Sequence, residues 1–190
     1  MLEPSSNAKY LWICCSDDSC VESALPCEVR DESLIHTNLG NQMAAADLNS
    51  ISTLEMAIES YEVEQIIICG HYRCKIIETA VKGGTGDFVG HWLSPLKKIS
   101  QRYKGWLDGL PNKLDAIAEL NAIHQAVNVA KNPVLRSAWN VKPRISLAAL
   151  VIDPATGHFR DLNFRASAET EVTIEFDRAI EAFKRRWEID

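Results

Sequence analysis

The first patterned stretch of the chain is Tyr10-Leu11-Trp12-Ile13-Cys14-Cys15, an unbroken apolar run that stops at Ser16-Asp17-Asp18-Ser19. A short run of β-forming residues closed by turn chemistry predicts a buried strand. Residues 33–39 predict a second strand, closed by Gly40-Asn41. Over residues 52–61 the apolar positions Leu54, Ala57, Ile58 and Tyr61 recur at helical spacing, with Ser52 as cap and Glu55 three residues on. Gln65-Ile66-Ile67-Ile68-Cys69 is the clearest buried strand; it breaks at Gly70 and leads into a helix over 74–81. Gly83-Gly84-Thr85-Gly86 predicts a loop, and 88–132 is mostly helical with an interruption near 105–111. The last part differs in kind. Residues 145–152 predict a strand, Asp153-Pro154-Ala155-Thr156-Gly157 a turn, 158–164 a partner strand, and 169–187 a final helix.

Strands alternating with helices, followed by a hairpin, predict an α/β domain: a mainly parallel β-sheet with an antiparallel edge strand, flanked by helices. A length of 190 residues suits a single domain over 1–190 with one substantial core. Hydrophobic residues at 46% and charged residues at 24% are an ordinary globular balance. A net charge of −6 argues against nucleic acid or an anionic membrane as the main partner. The basic run Lys184-Arg185-Arg186 reads as the solvated face of the last helix. No apolar run approaches the roughly 20 residues that span a bilayer. Met1 to Lys9 is polar and carries no signal core, so a cytoplasmic location is expected.

Six cysteines without a secretory signal are expected to stay reduced, as buried thiols, metal ligands or catalytic groups. Ligand sites in such sheets lie beyond the carboxyl ends of the strands. Two of those ends carry metal-capable groups, Cys15 with Asp17 and His71 with Cys74. A helix starting near His71 would put His71 and Cys74, three apart, on one face, with Cys15 supplying a third ligand. Cys14 cannot easily share that job, because neighbouring side chains on a strand point to opposite faces. Two thiolates and one imidazole suit Zn²⁺ and leave a fourth position for water or another oxygen, the layout of a catalytic zinc site. Gly70 is read as allowing backbone approach beside the metal. His124 shares a helical face with Ile117, Leu120 and Val127 and reads as a packed histidine.

Three segments, Cys15-Ser16-Asp17, His36-Thr37-Asn38-Leu39-Gly40-Asn41 and Cys69-Gly70-His71-Tyr72-Arg73-Cys74, resemble the signature segments of β-class carbonic anhydrases, the fungal branch above all. The likeness continues through Trp92-Leu93-Ser94-Pro95-Leu96, Asn132-Pro133-Val134 and Gly157-His158-Phe159-Arg160-Asp161-Leu162. It implies a Zn²⁺ cofactor on Cys15, His71 and Cys74, a homodimer, and CO₂ and bicarbonate as the small-molecule substrate pair of a zinc lyase. It also implies Asp17 as the catalytic carboxylate and Leu39, Gly70 and Arg73 as substrate-binding positions. Hydrolysis of COS or CS₂ is a related chemistry of the same scaffold.

The chain departs from the family pattern beside the metal. The first segment usually continues to an arginine, which forks onto the aspartate and keeps it off the zinc; here that position is Ser19. Freed of its anchor, Asp17 could become the fourth metal ligand and silence the site, or Arg73 could stand in as its partner. Thr37 stands where the second segment usually has arginine, Arg73 replaces a small residue, and Lys75 replaces a glycine. Weak or absent activity is therefore expected. With a first strand beginning near Tyr10, the N-terminal helical arm with which the family embraces a partner subunit is expected to be absent.

Overall fold

The computed structural model describes residues 8–83, 86–141 and 145–189. Among these, β1 (Tyr10–Cys15) leads through the short helices α1 (Cys20–Ala24) and α2 (Cys27–Asp31) to β2 (Ser33–Asn38). Helix α3 (Leu48–Glu59) crosses to β3 (Gln65–His71), and α4 (Lys75–Lys82) follows. A helical stretch comes next: α5 (Asp87–Trp92), α6 (Ser94–Arg102), α7 (Lys104–Leu107), α8 (Lys113–Ala130) and α9 (Pro133–Val141). The hairpin β4 (Ser146–Asp153) and β5 (His158–Ala166) precedes a short 3₁₀ turn and α10 (Val172–Arg186).

The five strands form one sheet in the order β2-β1-β3-β4-β5. β1 pairs parallel with β2 and β3, β3 pairs parallel with β4, and β5 closes the edge antiparallel to β4. That is the architecture expected from the hydrophobic pattern. The inner strands β1, β3 and β4 are largely buried on both faces, which is why they read as continuous apolar runs, whereas β2 at the edge is only partly buried. Leu11, Ile13, Ile66 and Ile68 pack with α3, α8 and α9, whereas Trp12, Cys14, Ile67 and Cys69 pack with Val21 and Leu25 on the other side.

Several boundaries differ from expectation. Helix α3 is capped by Asp47, whose carboxylate accepts from the N–H groups of Asn49 and Ser50, rather than by Ser52. β3 runs through Gly70 to His71 because these residues keep pairing with Val151 and Ile152 of β4. The interruption expected near 105–111 holds the short α7, and the chain leaves helix only between α7 and α8. Helix α9, which starts at Pro133 and buries Leu135, Ala138 and Trp139 on one face, lies beyond the helical stretch expected over 88–132. Gly84 and Thr85 of the expected loop lie outside the described residues, as do residues 1–7 of the polar lead-in.

Gly70 has a packing reason. A Cβ there would lie 3.2 Å from the carbonyl oxygen of Ala118 and 3.7 Å from the Ala122 side chain. The missing side chain thus lets α8 approach β3 closely, a packing role that the sequence reading of Gly70 did not include.

Candidate metal centre

The site is assembled at the carboxyl ends of β1 and β3. Cys15 is the last residue of β1, and the Ser16 N–H donates to the Asn38 carbonyl, continuing the sheet one step beyond it. His71 is the last residue of β3. The chain then turns at Tyr72 and Arg73, with Arg73 in the left-handed region at φ 57°, and Cys74 becomes the N-cap of α4 with extended backbone. His71 and Cys74 therefore do not share a helical face. A turn brings them together, and positive φ at a non-glycine residue hid it from a reading of spacing alone. The Arg73 N–H donates to Asp115 Oδ1 at 2.7 Å and secures that turn.

Among the described residues, Cys15, His71 and Cys74 are the one group of three metal-capable side chains whose donor atoms lie within 4.8 Å of one another. All three are buried. The two sulfurs are 3.7 Å apart, against about 3.8 Å for two sulfurs bound tetrahedrally to one zinc at about 2.3 Å. His71 Nδ1 bonds the Tyr72 carbonyl at 3.0 Å, which makes Nδ1 the protonated nitrogen. Nε2 is buried without a hydrogen-bond partner. A buried imidazole nitrogen left unpaired beside two thiols is the orphan that a bound cation would satisfy. The donor set fits zinc.

Electrostatics agree with a deprotonated sulfur. The Cys15 thiol is pulled down to about 5, chiefly by the hydrogen bond from the Cys74 thiol. His71 and the backbone N–H groups of Asp17 and Gly40 add to this, and burial opposes it. Those N–H groups lie 3.5 and 3.3 Å from the sulfur. Cys74 is correspondingly pushed up, because the proton shared by the pair stays with it and because it is buried. Burial pushes His71 down, but its closeness to the Cys15 sulfur outweighs that and leaves it raised.

Asp17 does not join the three donors. Its Oδ2 accepts from the Lys75 N–H at 2.8 Å, at the start of α4, and stands 3.9 Å from His71 Nε2. With Ser19 at the position where an arginine was expected, the first turn of α4 gives Asp17 an anchor of its own. Arg73 is not its partner. The Arg73 guanidinium bonds Asp153, which raises the arginine and lowers the carboxyl. Leu39 is 38% exposed beside Gly40, and its carbonyl accepts from the Trp92 indole N–H at 2.8 Å. His36 is buried against the Ser50 hydroxyl, and His124 packs between Tyr103 and Phe176. All six cysteines are free thiols.

A mostly parallel five-stranded α/β sheet brings two cysteines and a histidine together at its carboxyl edge, a donor set that could hold a divalent metal such as zinc. Comparison with known proteins makes this specific. The family model for carbonic anhydrase matches residues 10–159, and the chain belongs to that family. It is 24% identical over 165 residues to a carbonic anhydrase of Emericella nidulans, covering 85% of this chain and 72% of that protein. It is 31% identical over 157 residues to a carbonic anhydrase of Candida albicans, covering 78% and 54%. Among solved structures, a Coccomyxa β-carbonic anhydrase superposes with a TM-score of 0.80 at 25% identity, covering 94% of this chain and 84% of that one. The β-carbonic anhydrase CafD of Aspergillus fumigatus superposes with a TM-score of 0.67 at 31% identity, covering 83% and 90%. The β-class fold expected from the signature segments is the fold observed.

Proposed function

We propose that the protein is a zinc-dependent carbonate dehydratase that hydrates CO₂ reversibly to bicarbonate, with Cys15, His71 and Cys74 as the zinc ligands. The observation that carries this reading is the buried triad with its sulfurs at tetrahedral spacing and its imidazole nitrogen unpaired, in a chain of this family. Zinc bound there supplies Lewis acidity that makes water a nucleophile near neutral pH. The chain's own residues do the rest. Tyr72 fixes the His71 tautomer through its carbonyl. Asp17, held by the Lys75 N–H, offers its carboxylate as the hydrogen-bond acceptor beside the fourth position. Leu39 gives the mouth an apolar contact suited to CO₂. The contacts of Gly70 and Arg73 support structural roles, in α8 packing and in the turn, over substrate binding.

Stopped-flow CO₂ hydration on the zinc-loaded protein tests this. Turnover of roughly 10 s⁻¹ or more supports it, and a rate indistinguishable from buffer contradicts it. A second reading has one observation in its favour. Asp17 Oδ2 stands only 3.9 Å from His71 Nε2, close enough for a small swing to make it the fourth ligand of a silent site. The Lys75 N–H bond favours the open arrangement, with activity reduced because one backbone donor replaces a bidentate arginine. Assembly as a homodimer belongs to the same proposal. The exposed apolar residues Leu39, Phe88 and Val89 are available to such contacts, and light scattering coupled to size exclusion tests it.

A further inference from the structure

The Cys15 sulfur receives the N–H of Gly40 at 3.3 Å, from a loop rather than from the sheet. Gly40 has φ 79°, a conformation that fixes neither neighbouring peptide plane by itself. Both planes are held from outside. The Leu39 carbonyl, on the same peptide as the Gly40 N–H, accepts from the Trp92 indole N–H at 2.8 Å. A trans peptide points its N–H opposite to its carbonyl, so holding that oxygen on Trp92 aims the N–H at the sulfur. The Gly40 carbonyl, on the next peptide, accepts from Asn121 Nδ2 at 2.9 Å and Gln42 Nε2 at 2.8 Å. Asn121 and Gln42 are almost wholly buried and bond each other at 3.1 Å. A buried amide on α8 costs stability unless its partners are in place, and here they converge on the loop that faces Cys15.

Building on the zinc-site reading, we infer that Trp92 and Asn121 are positioning residues for the Cys15 ligand, acting through the backbone on either side of Gly40. Neither touches the metal position or the substrate. Their work is to keep one N–H donor on the Cys15 sulfur, which steadies its negative charge and its direction toward the ion. The sequence shows Trp92 only as part of a family-like segment and Asn121 as a polar position within a helical stretch.

The test replaces zinc with cobalt(II) and compares wild type with Trp92→Phe, which keeps most of the ring and removes the donor. Asn121→Asp is a second variant that keeps volume and acceptor. Trp106→Phe, in the cluster of Tyr103 and Phe183, controls for the general cost of losing an indole. Trp92→Phe and Asn121→Asp should each weaken metal binding about tenfold, the lower end for outer-shell groups. Each should also shift the thiolate-to-cobalt charge-transfer band, while Trp106→Phe leaves both unchanged. Trp92→Phe with wild-type affinity and band position overturns the inference alone. A wild type with no thiolate band overturns the zinc-site reading, and the inference with it. If the variants fail to fold, cadmium-113-loaded wild type decides. A scalar coupling from the Gly40 amide proton to the metal through Cys15 is expected, and its absence overturns the inference.

Discussion

Cys14 and Cys15 are neighbours in the chain, yet they lie on opposite faces of the sheet and carry opposite chemistry. Cys14 sits with Cys69 beneath Trp12, Val21 and Leu25, and burial pushes both thiols well up. Cys15 is as buried as Cys14, but a thiol, an imidazole and two backbone N–H groups converge on it and pull it down to about 5. Burial alone therefore does not decide whether a cysteine is inert. What decides is whether the strand ends there, freeing backbone donors and admitting a turn, or continues in paired sheet.

The sharpest break of that comparison is deletion. Cys15→Ala should abolish stoichiometric zinc, whereas Cys14→Ala should keep one zinc per chain, measured by plasma emission on dialysed protein. Equal loss in both would erase the distinction between the faces. Placing an arginine at position 19 comes next. Ser19→Arg should raise CO₂ turnover at least about tenfold, or about 1.4 kcal/mol of barrier, because a bidentate cation orients Asp17 better than one amide. An unchanged rate would mean that the Lys75 N–H already does that work.

The same contrast extends to histidines. His71 is raised by its sulfur partner, whereas His124 is lowered to about 4, chiefly by burial and then by Arg102 and Lys131. A histidine whose folded value lies below its unfolded value of about 6.5 stays neutral in the fold. Its contribution to stability is whole above pH 6.5 and is lost as pH falls toward 4. His124→Phe should therefore reduce the acid destabilisation seen by urea unfolding between pH 6.5 and 4, by up to about 3 kcal/mol. Gly70→Ala tests the packing beneath the site. Alanine in place of glycine ordinarily favours a strand, but here its Cβ meets the Ala118 carbonyl. A loss of about 1–3 kcal/mol is expected, and a gain would return Gly70 to a role at the metal.

Much of the fold was legible because buried parallel strands announce themselves. Ile66-Ile67-Ile68 and Leu11-Trp12-Ile13 admit few other readings, and the turn at Asp153-Pro154 marks the hairpin. The three proposed ligands were legible too, from residue type and position at strand ends. The local geometry that joins them was not. Spacing suggested a helix from His71, whereas pairing with β4 holds that residue in the sheet and Arg73 turns with positive φ. Lys75 appeared as a bulky substitution, yet its contribution to the site is a backbone N–H, which no side-chain pattern reveals. The roles of buried Asn121 and Gln125 could not be read from spacing, because their partners come from a loop about 80 residues earlier in the chain.

Zinc K-edge absorption on the purified protein probes the centre itself. One zinc per chain is predicted, with two sulfurs at about 2.3 Å and lighter nitrogen or oxygen ligands at about 2.0 Å. Metal below stoichiometry, or a shell with fewer than two sulfurs, would contradict the assignment of Cys15, His71 and Cys74.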